Sequence, residues 1–129
     1  MRRVSRIALT GCAVIALAMP VFAHHSVSAE FDVNRPITFE GTVKQVDWLN
    51  PHIYTEVEVA QADGTMRVYR VEGSAPNSLF RRGWRADTLK PGQKVTVTGL
   101  AAKNPESSNV GQATITTEAG VNVFSGQAN

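Results

Sequence analysis

From Ile53 to Val59 the chain alternates strictly: Ile53, Thr55, Val57 and Val59 face one way, and Tyr54, Glu56 and Glu58 the other. A period of two is the signature of a half-buried β-strand. Asp63-Gly64 then supplies a tight turn into a second run, Met66 to Val71. The two runs predict an antiparallel hairpin with one dry face, and the remaining segments must fit around it.

Upstream, the apolar residues Ile37, Phe39 and Val43 keep one phase, and Val46 and Trp48 take the other. A side-chain period of two changes phase only by gaining a residue, so a long strand over Ile37–Trp48 is expected to bend at a bulge near Lys44-Gln45. Gly41 is expected to permit close approach of a neighbouring backbone. Downstream, residues Ser74 to Gly83 predict a helix of about two turns. Ser74 is the candidate cap, Pro76 suits the first turn, Leu79 and Phe80 offer an apolar contact, and Gly83 suits the exit. After the Lys90-Pro91-Gly92 turn come strands Lys94–Leu100 and Gln112–Thr117, with Val121–Phe124 as a short last one and Asn104–Gly111 as an exposed loop. Three strands, a short helix and two or three strands give the element order of an all-β fold, a small OB-like barrel of five to six strands with one short helix between strands three and four. Such barrels use the face of strands two and three and the adjoining loops for ligands.

The first 23 residues read as a leader. Arg2, Arg3 and Arg6 precede an apolar run from Ile7 to Ala18, and after Pro20 the residues Val21-Phe22-Ala23 carry the small-residue pattern of a signal-peptidase site. Cleavage is expected between Ala23 and His24, leaving one domain, 24–129, in the periplasm or outside the cell. Leu9-Thr10-Gly11-Cys12 has the letters of a lipidation site, but the apolar run continues beyond Cys12. An uncleaved anchor is the other alternative, though the run falls short of the ~20 residues a spanning helix needs and Pro20 interrupts it. Without the leader, ten basic residues face eleven acidic ones, a net charge of −1 that suggests neither a nucleic-acid nor an acidic-membrane partner. The single cysteine, Cys12, leaves with the leader. The mature domain therefore has no disulfide, and its stability has to come from packing.

Candidate chemistry is sparse. The three histidines are His24, His25 and His52, the last in the connection between the first two strands. A chain beginning at His24 offers the α-amine and a ring Nδ1 together, and His52 could complete a three-nitrogen site, a donor set that favours Cu(II). His25, as second residue, is an alternate or third ligand through the amine, the intervening amide and its ring. Asp47 and Glu72 are candidates to orient the His52 imidazole. The plainer reading is a solvated terminus and a histidine that hydrogen-bonds a turn. Arg81, Arg82 and Arg85 beside Trp84 could take a small anionic or aromatic ligand, with Trp48 and Tyr54 as further platforms. Against that, cations suit the last helical turn and Trp84 suits the sealing of a barrel end. There is no Cys nucleophile, G-x-S-x-G, phosphate loop or H-E-x-x-H.

Several of these words occur together: His24-His25-Ser26, Phe31-Asp32 with Pro36 before Glu40-Gly41-Thr42-Val43, Trp48-x-Asn50-Pro51-His52, Arg81-Arg82-Gly83-Trp84, and Leu89-Lys90-Pro91-Gly92 before Val95-Thr96-Val97-x-Gly99. In this combination the chain resembles a group of bacterial exported proteins described only as a domain of unknown function. The resemblance spans nearly the whole mature chain and implies an exported β-barrel with His24, His25 and His52 in motif positions. It implies no activity.

Three functions remain open on the sequence. One is a periplasmic metal-binding module, with copper as the expected cofactor and His24, His25 and His52 as ligands. Another is a ligand- or protein-binding module of the cell envelope that uses Trp48, Tyr54, Trp84 and the arginines. The third is a mono-copper redox enzyme, which needs the first plus an open coordination position.

Overall fold

A computed structural model describes residues 27–128. Six strands form one sheet, β1 (Phe31–Asp47), β2 (Tyr54–Ala60), β3 (Met66–Glu72), β4 (Lys94–Ala102), β5 (Asn109–Thr117) and β6 (Asn122–Val123), with the helix α1 (Pro76–Arg81) between β3 and β4. The strand order is β3-β2-β1-β4-β5-β6, and β3 also pairs with β5 in parallel, so the first five strands close on themselves. This is the OB-like barrel expected from the element order, with β6 added outside the ring. No helix among the described residues is long and apolar enough to cross a membrane.

The bent first strand makes closure possible. From Pro36 to Thr42 it pairs with β4, and from Thr42 to Asp47 with β2, the register slipping between Val43 and Gln45. The bulge lies at Lys44, where the phase change placed it. Gly41 sits at the crossover, and a Cβ there would lie 2.6 Å from both the Glu58 carbonyl and Val57 Cγ1. The Lys90-Pro91-Gly92 turn docks on the same bend, with the Gly92 N–H donating to the Val43 carbonyl at 2.8 Å and Val43 N–H to Gln93 at 2.8 Å.

Alternation places the core as expected. Ile53, Thr55, Val57 and Val71 are buried, joined by Val95 and Val97 of β4 and Val110 and Ile115 of β5. The β2–β3 turn is a type I turn followed by a left-handed glycine: Gly64 N–H bonds Gln61, Gln61 N–H bonds Thr65, and Gly64 has φ +83°.

Three local expectations are corrected. Ser74 does not cap the helix: Ala75 holds that place with no side-chain bond, and Ser74 belongs to the strand connection, its backbone carbonyl accepting the Ile53 N–H at 3.2 Å. Phe80 points to solvent beneath the Arg85 guanidinium, which lies 3.9 Å from its ring centroid, while Leu79 alone enters the core. The segment expected as a loop to Gly111 becomes strand from Asn109, because pairing with β3 and β4 supplies partners that local sequence does not reveal.

Candidate functional site

Closure of the barrel leaves one end open beside the β1–β2 connection. There β2 begins, β3 ends and β5 passes beneath, so their inward residues Ile53, Val71 and Ile115 meet Phe31, Val123 and Phe124 around a cavity of about 300 Å³. Its polar margin is His52, Glu72, Ser74 and Gln112. Val27, in a helical turn over residues 27–30, also lines it.

His52 follows the cis Asn50–Pro51 peptide. Its Nδ1 pairs with Glu72 Oε1, the histidine side chain being 45% and the carboxylate 22% exposed. Of the two acids expected near His52, Glu72 makes the contact, because the residue after Val71 emerges opposite Tyr54 at the end of the β2–β3 ladder. Asp47 instead accepts from Gln45 Nε2 at 3.1 Å. A carboxylate on Nδ1 fixes the imidazole tautomer and leaves Nε2 as the atom with a lone pair to offer. The negative rim is felt next door: burial first, and then the Glu72 charge, raise the Tyr54 phenol above its ordinary pKa, opposed by Arg70, whose guanidinium stacks 3.6 Å from the ring centroid.

Thr55 is also among the lining residues but is itself 1% exposed, and its buried Oγ1 has no hydrogen-bond partner among the described residues. Two non-glycine residues with positive φ, Gln112 at 47° and Phe124 at 58°, also line this cavity. Neither Thr55 nor these two carries a sequence signal of a site. A threonine on the inward face of a strand looks like an ordinary β-former, and nothing in the sequence marks a positive φ at a glutamine or a phenylalanine.

The arginine and tryptophan cluster is occupied within the fold. Trp84 is buried, its Nε1 donating to the carbonyls of Ser125 and Gly126 at 2.6 and 2.9 Å. Arg82 donates to the Ser78 carbonyl and hydroxyl at 3.3 and 3.4 Å. Arg85 donates to the carbonyls of Phe80 and Trp84 at 3.1 and 2.8 Å, and Arg81 is exposed at the helix end. Trp48 is half-buried, its ring tilted against Phe124 at 5.8 Å. The arginines are thus distributed along α1 and its exit, away from the His52 cavity, and Tyr54 is covered by Arg70.

Among the described residues no three His, Cys, Asp or Glu side chains stand close enough together to hold a metal ion. His24, His25 and the leader lie outside the described residues. No curated protein and no solved structure matches the chain. A family-wide sequence profile matches residues 13–112, most of the chain, and on that ground the protein belongs to a family of unknown function, DUF6152.

Proposed function

We propose that this is an exported metal-binding module, with copper as its ion, held by the mature N-terminus and His52 at the open end of the barrel. The observation that carries the reading is that Val27 and His52 line one cavity, while Glu72 occupies Nδ1 of His52 and leaves Nε2 to ligate. His25 is two residues from Val27 and His24 three. At about 3.8 Å between successive Cα atoms, the His24 Cα lies within ~12 Å of the Val27 Cα in any conformation. Cleavage after Ala23 would free the α-amine of His24 within reach of His52. Amine, His24 Nδ1 and His52 Nε2 would then form the three-nitrogen donor set, with His25 as alternate or third imidazole. Nitrogen-rich, tetragonal sites favour Cu(II). The Glu72 carboxylate would act as the outer partner that orients the ligating imidazole.

The test uses protein recovered from a bacterial periplasm. Its intact mass is expected to start at His24, and Cu(II) titration followed by electron paramagnetic resonance is expected to show one nitrogen-ligated copper. His52→Ala should abolish that signal, and Glu72→Gln should weaken binding about 10–100-fold. Since a protonated nitrogen has no lone pair to offer a metal, affinity should also fall on acidification. A different terminus, or copper that ignores His52→Ala, overturns the proposal.

A further inference from the structure

The pairing of Glu72 with His52 needs a physical cause, because both side chains are open to water. An exposed pair of this kind contributes little by itself, and holding a glutamate in one rotamer costs side-chain entropy. Something beside the pair has to limit where the carboxylate can go.

The β2–β3 ladder shows what stands there. Tyr54 is directly opposite Glu72, and Glu56 directly opposite Arg70. Two backbone bonds carry the ladder one step further, from Ile53 N–H to the Ser74 carbonyl at 3.2 Å and from Gly73 N–H to the Ile53 carbonyl at 2.9 Å. With a side-chain period of two, His52, Tyr54, Glu72 and Arg70 therefore share the face turned away from Ile53, Thr55 and Val71. His52 and Glu72 are diagonal neighbours on it, and so are Tyr54 and Arg70. Directly opposite Cβ atoms lie ~4.5–5.5 Å apart, so the Tyr54 ring closes one side of the space open to Glu72. The ring is itself pinned, with the Arg70 guanidinium 3.6 Å from its centroid. Although Glu56 faces Arg70, the one ion pair among the described residues is that of His52 with Glu72. Arg70 is thus committed to the ring and not to the carboxylate opposite. The Tyr54 phenol feels both the Glu72 and the Arg70 charge, as expected of three groups standing together.

We propose that Tyr54, held by Arg70, is a positioning residue that keeps the Glu72 carboxylate on His52 Nδ1 and so determines which ring nitrogen His52 presents. In this role Tyr54 touches no ligand. With its ring in place the carboxylate turns to His52, the imidazole proton sits on Nδ1, and Nε2 keeps its lone pair. Without the ring Glu72 swings into water, and the proton redistributes between the two nitrogens. The inference rests on the metal-binding reading for its consequence alone, since the tautomer belongs to the metal-free protein.

The experiment is long-range ¹H–¹⁵N NMR of the imidazoles in ¹⁵N-labelled protein with EDTA, at about pH 8.5, where histidine is ordinarily neutral. The His52 signals are those missing from His52→Ala. The native protein is expected to hold the proton on Nδ1. In Tyr54→Ala the ratio of the Nδ1–H to the Nε2–H form should fall about 3–10-fold, the worth of one hydrogen bond. Arg70→Gln should lower the ratio as well, whereas Tyr54→Phe, which keeps the ring, should leave it as in the parent protein. If Tyr54→Ala does not fold, Arg70→Gln answers the same question with β2 intact. A ratio unchanged in either Tyr54→Ala or Arg70→Gln, or one that falls as far in Tyr54→Phe as in Tyr54→Ala, overturns the proposal. Copper that ignores His52 while these changes appear sinks the metal reading alone. Copper bound through His52 with an unchanged ratio sinks the positioning role alone.

Discussion

At Gly41 a missing side chain decides how two strands cross. The glycine lies where β1 leaves β4 for β2, and a Cβ would press on the Glu58 backbone carbonyl and Val57 Cγ1 at 2.6 Å and on Val59 Cγ2 at 2.9 Å. Alanine normally favours a strand over glycine through chain entropy, so Gly41→Ala would be mildly stabilising in open space. Here one of the atoms in the way is backbone, which cannot rotate aside. Gly41→Ala is therefore expected to destabilise the fold by about 1–3 kcal/mol, the usual cost of overpacking. A urea-unfolding midpoint at or above that of the parent protein would show that the strands can move apart at no cost. The need for closeness here was legible in the sequence, because the phase change from Val43 to Val46 required a bulge next to a glycine. That the Thr55 hydroxyl finds no partner among the described residues was not legible, since it depends on what the neighbouring strands β1 and β3 bring beside it.

The β2–β3 hairpin was the most legible element, and its turn carries a titratable group. Asp63 Oδ1 accepts from both the Thr65 N–H at 2.9 Å and the Thr65 hydroxyl at 2.6 Å. The hydroxyl bond, followed by the backbone bond, holds the Asp63 carboxyl below its ordinary value of 3.8. A carboxylate depressed in the folded state contributes stability in full above its unfolded pKa, and loses that contribution as pH falls through the lower, folded one. Asp63→Asn keeps an acceptor oxygen but cannot titrate. Relative to that variant, the parent protein should lose stability as pH drops below about 4, with no change in the difference between pH 6 and pH 8. Parallel urea midpoints for the two proteins throughout the acid range would mean that the Thr65 bonds do not form in solution. The helix shows where element-level reading stops. Pro76 and Gly83 mark its ends by local rules, whereas the N-cap place falls to Ala75 and Ser74 lies one residue before it, its backbone carbonyl accepting the Ile53 N–H.

For the whole molecule, closure depends on one short seam. The β1–β4 ladder runs without interruption from Pro36 to Thr42, but β3 and β5 meet in parallel only at Arg70 with Asn109 and Val71 with Val110. The seam is reinforced by side chains reaching across it: Arg67 donates to the Ser108 hydroxyl at 3.1 Å and to the Ser107 carbonyl at 3.2 Å. No periodicity announces this pairing, because parallel contact between strands far apart in sequence has no local signal, and the notional loop before Gly111 hid it. The seam also borders the candidate site, since Val71 belongs both to the pairing and to the cavity wall. A barrel held this way is expected to open first along β3–β5, while β1 and β4 remain together. Native-state hydrogen exchange tests it directly. The Arg70 amide, bonded to the Ser108 carbonyl at 3.0 Å, should exchange at least ~10-fold faster than the Val97 amide in the centre of β4, a difference of about 1.4 kcal/mol in opening free energy. Equal protection at the two amides would mean that the ring opens only by global unfolding. Faster exchange at Arg70 would make the cavity wall the most easily parted region of the barrel, giving a ligand a way in that needs no loss of the β1–β4 ladder.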